Sequence, residues 1–226
     1  MKLERIDVAA RLGVVSVVQA VINSLRARIF SGELAPGMPL GEVDVASHYK
    51  VARPTAKAAL ENLVASGLLT RNAHQSARVT RLSSADARDI YRTRAIIEAE
   101  AVRLVASTGQ VPDAARKANA EITALSQASP VQIVDPDVRF HTALVQALDS
   151  SRTSAIYGQL SDEIRLCMTQ VQDATLLNTK DIADEHARLL DLIAAGDAEG
   201  AAAVLAAHLE NASARLADHL DSLQQP

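Results

Sequence analysis

Asp137-Val138-Arg139-Phe140-His141 sets a carboxylate and an imidazole four residues apart, a spacing that puts both on one face of an α-helix. That is metal-ligand spacing. Two further histidines, in Asp184-Glu185-His186 and Ala207-His208-Leu209, have apolar neighbours at helical spacing, so both point into whatever their segments build. One such histidine alone reads as a hydrogen-bonded core residue. Four nitrogen and oxygen donors on three inward faces suit a divalent ion instead, Zn²⁺ first and Ni²⁺ or Mn²⁺ after it, with positions left open for water or a ligand oxygen. His48, His74 and His219 have no such companions and read as surface residues.

A second group of residues suggests a different chemistry. Arg53 and Lys57 are four apart at the start of a segment that opens with Pro54, and proline is tolerated in a first helical turn because the N–H there has no partner. Arginine can read guanine O6 and N7 together, lysine can do so or neutralise a phosphate, and Thr55 can meet a phosphate or a thymine methyl. Arg71, Arg78 and Arg81 follow on two short β-prone runs, 68–71 and 78–81, around a polar tip, and read as contacts to a nucleic-acid backbone. Each cation taken alone is equally compatible with a solvated face.

The elements that must position these groups follow from periodicity. Val14, Val17, Val18, Val21, Ile22, Leu25 and Ile29 predict a helix over 14–31, stopped by Gly32 and the turn Ala35-Pro36-Gly37. A short helix over Glu42–Tyr49, with Val43 and Ala46 inward, precedes the Pro54 helix, which Gly67 ends. Three helices and a two-stranded wing in about 70 residues are the outline of a winged helix-turn-helix, whose third helix enters a major groove. From Ser83-Ser84-Ala85-Asp86 onward only helices are convincing: 85–108, 112–128, 136–149, 152–173, 181–195 and 198–222, with Asp135-Pro136 and Asp197 as start signals. The expectation is a mainly α chain, with a winged helix-turn-helix over 1–82 and an all-helical bundle over 83–226.

Charge supports the division. Among the 226 residues, 1–82 hold 11 Lys and Arg against 6 acids, leaving 12 against 21 for the remainder, so a basic module precedes an acidic one. Aromatic residues make up only 2%, which disfavours the stacking platforms of single-stranded nucleic-acid binders and RNA-recognition sheets. The lone Cys167 excludes an internal disulfide and a cysteine-rich zinc module, and fits a reducing cytoplasm. No run reaches the roughly 20 apolar residues that span a bilayer, and the charge-free stretch Leu12–Leu25 reads as a soluble helix.

Over roughly residues 14–82, the run Leu34-Ala35-Pro36-Gly37, Glu42, Ala46, Val51-Ala52-Arg53-Pro54-Thr55-Ala56-Lys57-Ala58-Ala59-Leu60 and Gly67-Leu68-Leu69 resembles the N-terminal domain of the GntR family of bacterial transcription regulators. Arg53 matches that family's first DNA-contacting arginine, and Lys57 stands where a second arginine is usual. Ala52 replaces a serine, Pro54-Thr55 inverts the usual order, Ala58 replaces a glutamate, and His74-Gln75-Ser76 replaces an N-R-G wing tip. Over about 85–210, Tyr91-x-x-Arg94-x-x-x-Glu98, Asp137-x-x-Phe140-His141, Glu185-His186, Ile193-x-x-Gly196-Asp197 and His208-Leu209 resemble the helical ligand domain of the FadR type. That resemblance implies a metal held by Asp137, His141, His186 and His208 and a small organic acid bound beside it. Arg94, with Arg165 on the helix preceding the His186 segment, is then the candidate partner of an effector carboxylate; the alternative for Arg94 is an i,i+4 pair with Glu98.

These readings converge on a ligand-responsive transcription regulator, a repressor acting as a homodimer on a pseudo-palindromic DNA operator. A metal-dependent hydrolase with an appended DNA-binding domain is the alternative, but it needs a general base. Glu185 points away from its neighbour His186 by about 100°, and no H-E-x-x-H or nucleophile motif is present. A protein-interaction adaptor is the third reading, and the basic surplus of residues 1–82 argues against it. The helix over 85–108 follows the wing directly and offers the shortest link between ligand and DNA.

Overall fold

The computed structural model describes residues 16–73, 75–125, 131–170 and 178–223. Its elements in chain order are α1 (Val17–Phe30), β1 (Pro39–Leu40), α2 (Glu42–Tyr49), α3 (Arg53–Ala65), β2 (Leu69–Thr70), β3 (Ala77–Val79), α4 (Ser84–Thr108), α5 (Asp113–Ala124), α6 (Val131–Gln146), α7 (Ser151–Gln170), α8 (Thr179–Ala194) and α9 (Ala198–Ser222). Val14, His74 and the predicted helix ends 126–128 and 171–173 lie outside the described residues.

Ser16 caps α1 by accepting the Gln19 N–H, and Val21, Ile22, Leu25 and Ile29 form its buried stripe. Against them pack Ala56, Ala59, Leu60 and Leu63 of α3, each buried leucine or isoleucine contributing about 1.5–3 kcal/mol. Lys50 leaves α2 in the left-handed region, with φ 53°, and this abrupt reversal sets α3 across α2. In α2 the inward residue is Val45, while Val43 is 62% exposed. The expectation for Val43 therefore fails, because Val45 is the side chain that the approach of α3 covers.

The wing has three strands, in the order β1-β3-β2. β1 was not expected: two residues are too few to show alternation, and Pro39–Leu40 is recruited by pairing with Ala77–Arg78. α4 opens with a complete capping box between Ser83 and Asp86 and lies along α9, while α5, α6, α7 and α8 close a bundle around them. Phe140, Leu144, Ile164, Ile193 and Leu205 are among its fully buried side chains.

α6 differs from expectation in a way that matters for the site. It begins at Val131 and carries Pro136 inside it, where the sequence predicts a start at Pro136 capped by Asp135. An interior proline removes one helical hydrogen bond, but Ile133, Val134 and Val138 are all buried, and that burial holds the turn helical. Asp135 consequently forms an ion pair with Arg165 rather than a cap.

Candidate metal centre and nucleic-acid interface

Three helices of the bundle deliver the four expected donors to one place. Asp137 and His141 stand one turn apart on α6, His186 comes from α8 and His208 from α9; all four are buried, and one donor atom from each lies within 4.8 Å of the others. Asp137 Oδ1 is 3.8 Å from His141 Nε2 and 3.6 Å from His186 Nε2, slightly wider than the ~3.4 Å edge of a tetrahedron with ~2.1 Å bonds to a central ion. Neither of those Nε2 atoms has a hydrogen-bond partner. Two buried rings that turn unpartnered Nε2 atoms toward a carboxylate are an unsatisfied arrangement, and a divalent cation would satisfy it, so the residues fit such a group.

The outer nitrogens of His141 and His208 are held, while His186 Nδ1 is buried without a hydrogen-bond partner. Glu98 of α4 takes His141 Nδ1 on one oxygen at 2.5 Å, while its other oxygen accepts from the Tyr157 hydroxyl at 2.5 Å and from Arg94 Nε at 2.6 Å. Glu185 takes His208 Nδ1 at 2.5 Å. A carboxylate behind a histidine fixes its ring and leaves Nε2 for a metal. Phe140 stacks flat on His186, with ring centroids 3.7 Å apart.

Electrostatics favour neutral, lone-pair-bearing rings. Burial lowers the pKa of His186 well below the ordinary imidazole value, helped by His141, His208 and Arg94; burial and Arg94 likewise lower that of His141. Glu98 behaves oppositely. Burial works against its charge, yet Arg94 and His141, with hydrogen bonds from His141 and Tyr157, hold it down to about 2.

Arg94 is 1% exposed and forms the i,i+4 pair with Glu98 through Nε. Its Nη2, however, has no hydrogen-bond partner and lies 3.7 Å from Asp137 Oδ2. The pair therefore leaves half of the guanidinium fork uncommitted, facing the donors. Arg165 is elsewhere. Its guanidinium pairs with Asp135 and lies 5.3 Å from the Phe30 ring centre, in a cavity of about 540 Å³ bordered by Asn23, Arg26 and Phe30 of α1. Because α6 extends through Asp135, that carboxylate draws Arg165 to the junction between the two modules.

Sequence reasoning missed Tyr157 and the position of Glu185 on the outer side of His208. Tyr157 belongs to no spacing pattern, since its partners lie on other helices. Glu185 was expected to turn from His186, and it turns toward His208 on α9.

At the other end of the molecule, Arg53 is the first residue of α3 and is 69% exposed. Its Nε donates to Glu42 at 3.1 Å, and Arg71 Nη1 lies 3.8 Å from the other Glu42 oxygen. Lys57 is exposed on the same face, 3.7 Å from Glu61, and Thr55 is half-buried. Arg78 Nη1 donates to the Gly37 carbonyl and Arg81 Nη2 to the Pro36 carbonyl, both at 3.1 Å. The exposed Lys57–Glu61 pair contributes about 0–1 kcal/mol and exchanges readily for phosphate or base edges, whereas Glu42 and Arg71 are partly covered.

Comparisons with known proteins agree with both halves. Residues 17–79 match the profile described as bacterial regulatory proteins, gntR family, and residues 89–211 match that of the FCD domain. The chain is 31% identical over 208 residues to the uncharacterized HTH-type transcriptional regulator BphR of Paraburkholderia xenovorans (strain LB400), covering 86% of this chain and 83% of that protein. It is 29% identical over 212 residues to the HTH-type transcriptional repressor NanR of Cronobacter sakazakii (strain ATCC BAA-894), covering 84% and 82%. Among solved structures, a GntR transcriptional regulator from Rhodococcus sp. RHA1 superposes with a TM-score of 0.75 at 24% identity, covering 89% of this chain and 98% of that one.

Proposed function

This chain belongs to the GntR family of bacterial transcription regulators with an FCD domain as its second module, and from that premise we propose that it is a metal-holding repressor released or engaged by a small organic acid. The observation that carries the reading is the uncommitted Arg94 Nη2 beside four buried donors, two of them with unpartnered Nε2 atoms. Asp137, His141, His186 and His208 hold a divalent ion, with Zn²⁺ favoured by the three imidazoles and Ni²⁺ or Mn²⁺ as the other candidates. Bound there, the ion supplies an open coordination position for an oxygen ligand. Arg94 Nη2 holds the effector's carboxylate by a charge-assisted hydrogen bond, which offsets the cost of burying its charge.

In the first module, Arg53, Thr55 and Lys57 read the operator, and Arg71 and Arg78 hold phosphates. Two copies of the chain bind two half-sites as a homodimer, matching the twofold character of such operators. Residues 1–82 form the DNA-binding unit and 83–226 the unit that binds metal and effector and joins the copies. The metal-dependent hydrolase finds no support, because the relatives are transcriptional regulators. Among the described residues no helix is long and apolar enough to cross a membrane.

The test uses Arg94→Lys rather than a neutral variant. Removing the charge would strand the buried Glu98 carboxylate, at a cost of about 3–5 kcal/mol, whereas lysine keeps the charge and loses the planar fork. Organic acids are screened by thermal shift on the Zn²⁺-loaded protein, and the active one is titrated into an operator complex. Arg94→Lys is expected to bind the operator as wild type does but to need at least tenfold more acid for the same response. Wild-type sensitivity in this variant would remove Arg94 from the effector site.

A further inference from the structure

One helix of the second module grips the first at three places. Asp162 of α7 accepts from Arg26 Nη2 of α1 at 2.5 Å. Glu163 lies against Gly67, the residue with φ 75° that turns the chain from α3 into β2, and any side chain at that position would strike its carboxylate. Gln170, at the C-terminal end of α7, uses both halves of its amide on the base of the wing. Nε2 donates to the Thr80 carbonyl at 2.7 Å, and Oε1 accepts from the Leu82 N–H at 3.1 Å. A side-chain amide that meets two backbone groups in this way substitutes for a strand partner, so the wing base cannot shift relative to α7 without losing both bonds.

The same helix reaches the buried donors. Tyr157 stands roughly 20 Å from Gln170 along the axis, at about 1.5 Å per residue. Its hydroxyl donates to the Glu98 carboxylate whose other oxygen holds the His141 ring. A displacement of that ring is therefore felt at Tyr157 through one shared carboxylate. α4 follows the wing covalently and also borders the site, but a covalent link alone lets the wing pivot about residues 80–83. The Gln170 clasp removes that freedom.

We propose that α7 is the lever that carries the state of the Asp137/His141/His186/His208 centre to the wing, with Gln170 as the positioning residue that couples the two modules. The proposal rests on the reading of that centre as a metal site and of the first module as a DNA binder. Occupancy acts on DNA only if the two placements of α7 differ in their affinity for the ion. Linkage then requires operator DNA to change the affinity for the ion by the same factor that the ion changes the affinity for DNA.

The experiment compares wild type, Gln170→Met and Tyr157→Phe, using Zn²⁺ alone as the probe. Operator Kd is measured after EDTA treatment and again with saturating Zn²⁺, and the Zn²⁺-induced rise in Tm is recorded for each protein. Wild type is expected to show at least a fivefold change in operator Kd between the two states. Gln170→Met is expected to keep the Tm rise and to bind operator in at least one state within twofold of wild type, while the change falls below twofold. Should Gln170→Met unfold, Tyr157→Phe, which disturbs only the far end of the lever, is expected to reduce the change by at least half while remaining folded. A wild-type ratio retained in either folded variant overturns the proposal. So does a wild-type protein whose Tm rises with Zn²⁺ and which binds operator equally well in both states, an outcome that leaves the metal and DNA readings intact. Absence of both the Tm rise and a selectable operator would instead remove those readings, and the lever with them.

Discussion

Glu98 holds more of the centre together than any of the four donors, because a single buried carboxylate serves Arg94, His141 and Tyr157 at once. The donors themselves were legible in the sequence. Asp137 and His141 announce themselves by spacing, and His186 and His208 by their apolar flanks. Tyr157 and the orienting role of Glu185 were not legible, since each acts across a helix–helix contact that no local pattern encodes. The buried rings also fix how the metal-free protein responds to acid. The pKa values of His141 and His186 are lowered in the folded state, while unfolded imidazoles titrate near 6.5. Between those values the unfolded chain binds more protons, so stability is full above about pH 6.5 and falls as the pH drops below it. Each ring removes up to about 1.4 kcal/mol per pH unit until its folded pKa is reached. Thermal melts of EDTA-treated protein between pH 7.5 and 5 are expected to show this decline, and to show about half of it in His186→Gln. A flat profile would mean that these rings take up protons in the fold as readily as they do in the unfolded chain.

At the scale of the element, the long apolar stripes of α1, α3 and the bundle helices were readable, and short or interrupted elements were not. β1 exists only because β3 offers it a partner. α6 runs through Pro136 because its neighbours bury the side chains on either side, a tertiary effect that overrides the local start signal. α3 illustrates the opposite case. Ala56, Ala59, Leu60 and Leu63 turn inward, and the remaining surface necessarily presents Arg53 and Lys57. Both cations are exposed where they pair with Glu42 and Glu61, so replacing either with alanine is expected to leave the fold intact. On a selected operator, Arg53→Ala is expected to weaken binding by about 1–3 kcal/mol and to relax preference at one base pair. Lys57→Ala is expected to lower the slope of log affinity against log salt by about one if it meets a phosphate. Titrations at several salt concentrations separate the two roles, and unchanged affinity and slope in both variants would move the recognition face elsewhere.

At the scale of the whole molecule, the donors lie on three separate helices, α6, α8 and α9, and an ion shared among them would tie those helices to one another. The unfolded chain offers no such preformed site, so binding adds to folding stability by mass action, about 2.7 kcal/mol when free ion exceeds Kd a hundredfold. For a chain of this length each kcal/mol moves Tm by roughly 2–4 °C, so EDTA is expected to lower the melting temperature of the loaded protein by several degrees and Zn²⁺ to restore it. His186→Ala should abolish the difference between the two conditions. His208→Ala, which removes the donor nearest the surface, should do the same with less damage to the core. The basic first module and acidic second module give the measurement a second use: salt screens attraction to DNA but leaves a buried coordination site nearly untouched. Metal-dependent stabilisation should therefore persist at salt concentrations that release the operator, and its disappearance together with DNA binding would place the ion on the exposed acidic surface instead of among the buried histidines.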